Sequence, residues 1–228
     1  MLGTWVNVAT VMLGSLIGMF LKRGLPERIA KGMTTAVALA VLYIGIDGMA
    51  EGANTLVLVL SLVFGALIGT LLNLDERLNR LGGWLEKKIS KNGEPGKITE
   101  GFVSASLLFC VGAMTIVGPL QSGLSGNHEM QFTKAILDLI SAIVLASTLG
   151  GGVMLSAVTV LILQGSITLL AQVIAPFLSD YVIAEMTCSG SVLILALGMN
   201  LLGITKIKLV NSLPAVFLPI LFCIFLKV

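Results

Sequence analysis

Charge is what this chain has least of. Only 11% of its 228 residues are charged, against about 25% in a soluble domain. A well-hydrated globular surface is therefore excluded. Histidine is almost missing too: His128 is the single one, so no paired-histidine metal site can form. Cys110, Cys188 and Cys223 are odd in number and sit in apolar stretches. They give neither a disulfide framework nor metal-ligand spacing, and read as small buried thiols. The glycines at 150–152 run into Val153 and Met154 rather than into Gly-Lys-Ser/Thr. No nucleotide loop is present, which excludes ATP-driven pumping by this chain alone. No base stands at motif spacing from a nucleophile, so an enzyme is not expected, and no cofactor is. The net charge of +2 comes with no basic, aromatic-studded face, which argues against nucleic acid as a partner. The first residues lack a basic leader and a small-residue cleavage site and read as a retained helix.

What is present is hydrophobicity. Apolar residues make up 56% of the chain and its mean hydropathy is +1.02. Runs of about 18 or more apolar residues recur, which is the signature of membrane-spanning helices. The expectation is one all-α, polytopic helical bundle over residues 1–228. About eight spans are expected, at 3–21, 33–50, 54–73, 100–121, 132–149, 152–174, 182–204 and 209–226, each near the ~20 residues a bilayer requires. Pro214 falls in the first turns of the last, where its missing N–H is tolerable.

Positive charge sets the orientation. Lys22, Arg23, Arg28 and Lys31 follow the first span. Arg77, Arg80, Lys87, Lys88, Lys91 and Lys97 follow the third, and Lys206 and Lys208 follow the seventh. With alternating spans all of these share one face, leaving Lys134 and Lys227 opposite. That face is cytoplasmic by the positive-inside rule, and both termini lie outside. The outer loops then hold Asp47, Glu51, His128, Glu129, Asp180 and Glu185. In the loop 74–98, Leu74, Leu78, Leu81, Leu85 and Ile89 recur at helical spacing around Trp84. This pattern predicts an amphipathic helix on the cytoplasmic surface, a topological anchor before it is a partner-binding element.

A repeat runs through the spans. LGSLIGMFL at 13–21 matches FGALIGTLL at 64–72, and QGSITLL at 164–170 is a fainter echo. The helix starting at Met33 and the helix starting at Met186 share Met-Thr and a glycine twelve residues on, Gly45 and Gly198. The charge pattern makes the copy near the C-terminal end inverted, a building rule of secondary transporters. The pairs Gly14/Gly18 and Gly65/Gly69 also make smooth grooves for close helix approach. They serve packing within the chain or a homo-oligomer.

Asp138 lies in the fifth span, where a carboxylate costs about 2.5–3.5 kcal/mol and must face a bundle interior or an aqueous cavity. Lys134 one turn earlier offers a structural partner. The functional alternative is a cation site. Asp138 supplies the charge, and Ser141, Gln164, Ser166, Thr187 and Asn200 are candidate oxygen ligands, the donor type that hard cations prefer.

The segments GTWVNVATVMLGSLIG, LLFCVGAMTIVGPLQSGL (107–124), KAILD (134–138) and LGGGVMLSAVTVLILQG (149–165) resemble the YqgA-like bacterial membrane proteins, a family classed as a domain of unknown function. The resemblance covers the whole chain and implies a bacterial inner-membrane location. That family carries a label pointing to a sodium channel or pump, and it brings no site residues with it. The expected function is movement of a small solute, first a monovalent cation such as Na⁺, across the lipid bilayer. The alternative is a membrane scaffold or regulatory subunit.

Overall fold

The computed structural model of the protein describes residues 1–22, 27–78, 80, 97–111 and 113–226. It is all-helical, with no strand among the described residues. The helices are α1 (Leu2–Lys22), α2 (Glu27–Met49), α3 (Thr55–Leu71), α4 (Lys97–Cys110), α5 (Ala113–Leu124), α6 (Glu129–Leu149), α7 (Gly152–Leu169), α8 (Ala171–Ile174), α9 (Asp180–Leu201) and α10 (Leu218–Leu226). A lipid interior offers no water to unpaired backbone groups, so helices satisfy those groups locally. The ends are capped by polar side chains. Asn54 Oδ1 accepts from Leu56 N at 3.0 Å and Val57 N at 3.3 Å to start α3. Ser179 Oγ accepts from Val182 N at 3.3 Å to start α9. Asn127 Oδ1 accepts from Glu129 N at 3.0 Å just before α6. Gly150, with φ 80°, ends α6 in a conformation that glycine adopts without strain.

Among the described residues, four helices are long and apolar enough to cross a membrane: Leu2–Leu21, Glu129–Leu149, Gly152–Leu169 and Asp180–Leu201. The expected span at 100–121 consists of two helices bent by 59°, which add a fifth crossing if they count as one. The apolar parts of α2 and α3, Thr34–Met49 and Thr55–Leu71, are shorter. The expected 209–226 span is also broken. Residues Leu209–Val216 form a 3₁₀ segment containing Pro214, and only Leu218–Leu226 is α-helical. A proline inside an α-helix loses an N–H and collides with the preceding turn, and the 3₁₀ winding accommodates it. Of the expected surface helix 74–98, residues 74–78 are helical; 79 and 81–96 lie outside the described residues.

The chain forms two compact units, residues 1–37, 78–110 and 114–172 in the first, and 38–77, 111–113 and 173–228 in the second. In the first unit α1 lies along α6 in parallel. A Cβ on Gly14 would stand 2.5 Å from the Leu139 carbonyl oxygen, and one on Gly18 would strike the Ile143 carbonyl oxygen. In the second unit α3 lies antiparallel to the 3₁₀ segment. There Gly65 abuts the Ala215 backbone and Gly69 the Asn211 carbonyl. Both glycine pairs are thus filled by this chain's own elements. Also in the second unit, α2 and α9 cross antiparallel, with Gly45 against Leu195 and Gly198 against Leu42.

Two placements differ from expectation. Glu185, counted with the outer loops although it lies inside the expected 182–204 span, is fully buried in the second turn of α9. On α6 the sequence allows Leu137, Ile140 and residues 143–145 to face lipid; Leu137 and Ile140 are exposed, but Leu145 is 1% exposed. Ile136 joins Leu137 and Ile140 on the outward face, while Gln131, Lys134 and Asp138 turn inward. Polar residues inside and large apolar ones outside are the arrangement suited to a lipid environment.

These approaches predict how the glycines respond to change. Gly18→Leu forces α1 off α6 and costs about 1–3 kcal/mol, as overpacking does. Gly32→Ala, where an added Cβ meets nothing within 4 Å, is neutral or gains up to about 1 kcal/mol of helix propensity. Thermal unfolding of the detergent-solubilised protein separates the two, and equal melting temperatures would refute the close α1–α6 contact.

Candidate functional site

The first unit gathers its buried polar side chains where α1, α6 and α7 meet. Helical spacing sets each contribution. Thr4 and Asn7 lie one turn apart on α1; Gln131, Lys134 and Asp138 fall on one face of α6; Gln164 and Thr168 follow at i, i+4 on α7. All seven are buried. Because α6 starts at Glu129 rather than at 132, Asp138 stands nine residues in. At 1.5 Å per residue that is about 14 Å along a helix of about 31 Å, close to the middle.

Asp138 is held from two sides. Lys134 Nζ donates to Oδ1 at 2.8 Å and to Oδ2 at 2.7 Å. Asn7 Nδ2 donates to Oδ2 at 2.9 Å and to Gln164 Oε1 at 3.2 Å. A second string runs beside it. Gln131 Nε2 donates to Thr4 Oγ1 at 3.2 Å, and Thr4 Oγ1 lies 3.4 Å from Thr168 Oγ1. Two amide atoms remain buried without a protein partner among the described residues, Gln131 Oε1 and Gln164 Nε2. One is an acceptor and the other a donor, so the network is incomplete for both kinds of hydrogen bond. Buried polar atoms seldom stay unpaired, and those that do point to a water, an ion or a ligand.

The site carries one positive and one negative charge, so it is neutral overall. A cation that reaches Asp138 must displace the Lys134 ammonium from both carboxylate oxygens. The same bonds also anchor three helices in register, because breaking a buried ion pair leaves an uncompensated charge.

The sequence-derived candidates divide between the units. Asp138 and Gln164 come together through Asn7. Ser141 is half-buried on α6, and Ser166 is exposed on α7. Thr187 is buried in the second unit and donates to its own helix at the Ile183 carbonyl, 2.8 Å away. Asn200, also in the second unit, is spent on a loop: its Oδ1 accepts from Thr205 Oγ1 at 2.7 Å and Ile207 N at 2.9 Å, and its Nδ2 donates to the Ile207 carbonyl at 2.9 Å. Sequence reasoning missed Thr4, Asn7 and Gln131. Asn7 is the one amide in the first span and could have been singled out on that ground. Gln131 fell one residue outside the expected start of its span. No group of three or more His, Cys, Asp or Glu among the described residues is arranged to hold a metal.

The family described as "Protein of unknown function (DUF554)" matches residues 2–224. The "Uncharacterized membrane protein YdfK" of Bacillus subtilis (strain 168) is 35% identical over 223 residues, 96% of this chain and 94% of its own length. The "Uncharacterized protein YqgA" of Escherichia coli (strain K12) is 31% identical over 220 residues, 95% of this chain and 94% of its own length. No solved structure matches the chain. The chain belongs to the DUF554 family.

The network makes a non-additive prediction. Lys134→Met alone leaves a buried carboxylate unpaired and destabilises by about 3–5 kcal/mol. Adding Asp138→Leu recovers most of that loss, because the neutral double variant buries no charge. A double-mutant cycle on melting temperature reads the coupling, and additive single effects would show that the two side chains act independently.

Proposed function

We propose that this DUF554 member moves a small solute across the membrane, first a monovalent cation such as Na⁺, through the polar network centred on Asp138. The observation that carries the reading is a carboxylate deep inside an apolar helix, in a network that still lacks hydrogen-bond partners at Gln131 Oε1 and Gln164 Nε2. Intramembrane charges are costly, and they mark ion and substrate paths more often than they serve as fasteners. Lys134 acts as the resident cation. An arriving ion takes its place on Asp138, and Gln164 Oε1, which accepts from the same Asn7 Nδ2, is the amide oxygen at hand once the ammonium has moved. The protein itself forms no covalent intermediate and needs no cofactor in this scheme.

Helix directions support the finer topology of eight alternating crossings. In the first unit α1 runs with α6, while Asn7 bonding Gln164 and Thr4 approaching Thr168 set α1 against α7. Gly101 beside Val153 and Ser106 bonded to Thr159 set α4 along α7. In the second unit α2 opposes α9, and α3 opposes the segment at 209–216. Every one of these relations is what alternation of eight spans requires. Within the first unit α7 runs against α1, and within the second α9 runs against α2, which supports the reading of an inverted repeat. Charge separates along the second unit as well. Asp75 and Lys208 approach at 3.7 Å at one end, while Glu185 meets the α2–α3 turn at the other. With the basic end cytoplasmic, the protein sits in the bacterial inner membrane with both termini outside.

The scaffold alternative draws on the glycine grooves as docking strips. Those grooves are filled within the chain at Leu139, Ile143, Asn211 and Ala215, so a partner or a second copy would have to use another face.

Reconstitution tests the proposal. Proteoliposomes loaded for Na⁺, K⁺, Li⁺ or H⁺ flux are expected to conduct or exchange at least one of these above protein-free vesicles. Asp138→Asn, folded by size exclusion, is expected to lose at least tenfold of that rate. Flux indistinguishable from empty vesicles, or an Asp138→Asn variant as active as wild type, would end the reading.

A further inference from the structure

Among the described residues Glu185 is the other buried carboxylate, and its circumstances are the reverse of those of Asp138. It is 0% exposed. Its Oε1 accepts from the backbone N–H groups of Ala53 and Asn54, both at 2.8 Å. These donors lie at the N-terminal end of α3, where the helix dipole also favours an anion. Its Oε2 is buried without a hydrogen-bond partner. One turn along the same face of α9, Ser189 Oγ is likewise fully buried and unpartnered. Two oxygens without partners thus stand at i and i+4 on one helix face. Gly52 packs beside this oxygen: a Cβ there would lie 3.6 Å from Oε2 and collide with Cys188. Nearby charge is of one sign. Glu51 stands in the turn after α2, and burial first, then the charge of Asp47, raises its pKa above the ordinary value, against a lowering hydrogen bond from Thr187.

An ionised carboxylate buried without a counter-ion is costly. Asp138 meets that cost with Lys134. Glu185 has two backbone donors on one oxygen and no ion pair among the described residues. We propose that Glu185 Oε2 and Ser189 Oγ are ligands of a second binding site, for a small monovalent cation of the Na⁺ or Li⁺ class. The donors are hard oxygens, which such ions prefer over softer ligands. A single buried carboxylate balances a single charge, and no three-carboxylate group suited to a divalent metal is present among the described residues. The site belongs to the second unit and does not rest on the transport reading of Asp138.

Cation-dependent stability tests it on the intact chain. Melting temperature is measured in detergent in NaCl, LiCl or KCl, against N-methyl-D-glucamine chloride at equal ionic strength. Wild type is expected to rise saturably by a few degrees in Na⁺ or Li⁺. Glu185→Gln should lose that rise: its amide oxygen can still accept from Ala53 and Asn54, while the charge and the free oxygen are gone. Ser189→Ala should weaken the half-saturating concentration several-fold, and it serves where Glu185→Gln fails to fold. Gly32→Ala, where an added Cβ meets nothing within 4 Å, should keep the full rise. The inference is overturned if wild type shows no cation-specific rise, or if Glu185→Gln or Ser189→Ala responds as wild type does. A preserved rise with no flux in proteoliposomes would sink the transport reading and leave this site standing.

Discussion

A carboxylate in the middle of an apolar helix has to find its donors inside the protein, and in the first unit that demand organises everything around it. Asp138 accepts from Lys134 and Asn7, and Asn7 in turn reaches Gln164. Those bonds fix the rotation of α6, since Lys134 and Asp138 must both face inward. They fix the register of α1 and α7 as well, because short amide side chains reach only about 3 Å. Such reach is available only if the helices approach closely. Glycine supplies the approach: any side chain at Gly3 would collide with Gln131, and any at Gly14 or Gly18 with the α6 backbone. Electrostatics and packing here are one constraint. In lipid, small residues drive association as hydrophobic burial does in water.

The second unit solves the same problem differently. Glycines again bring helices together, Gly45 and Gly198 at the crossing of α2 with α9, and Gly65 and Gly69 against the 3₁₀ segment. Its buried carboxylate takes backbone donors from the start of α3 instead of an ammonium. Asn54 contributes twice there, donating its N–H to Glu185 and capping α3 with its side chain.

Much of this organisation is legible along the chain. The all-helical membrane class follows from apolar runs and scarce charge. The two glycine pairs stand out as repeated words, and Asp138 as an isolated acid with a lysine four residues before it. Less legible is anything that depends on where a helix begins. Starting α6 three residues early carries Asp138 toward the middle and brings Gln131 into the network. Glu185 lies inside the expected 182–204 span, and packing within the second unit buries it. The Ser179 cap sets the start of α9, and an apolar window blurs such starts because hydropathy changes gradually at a membrane boundary. The bend between Ile98–Cys110 and Met114–Leu124 and the 3₁₀ segment at 209–216 are hidden for a similar reason: apolar composition continues through a change of direction that backbone geometry, not polarity, produces.

By itself the sequence determined the class of solvent this protein lives in, since the cost of hydrating 56% apolar residues leaves a bilayer as the stable environment. It also determined that Asp138 needs a partner and that the glycines mark close contacts, because both follow from what one residue can tolerate. Which residues meet was decided only by tertiary structure. Asn7 and Asp138 are 131 positions apart, and Glu185 and Ala53 are 132. No local periodicity couples positions so distant. Their pairing arises when helices of fixed rotation pack at glycine contacts and every buried polar group that can reach a partner takes one.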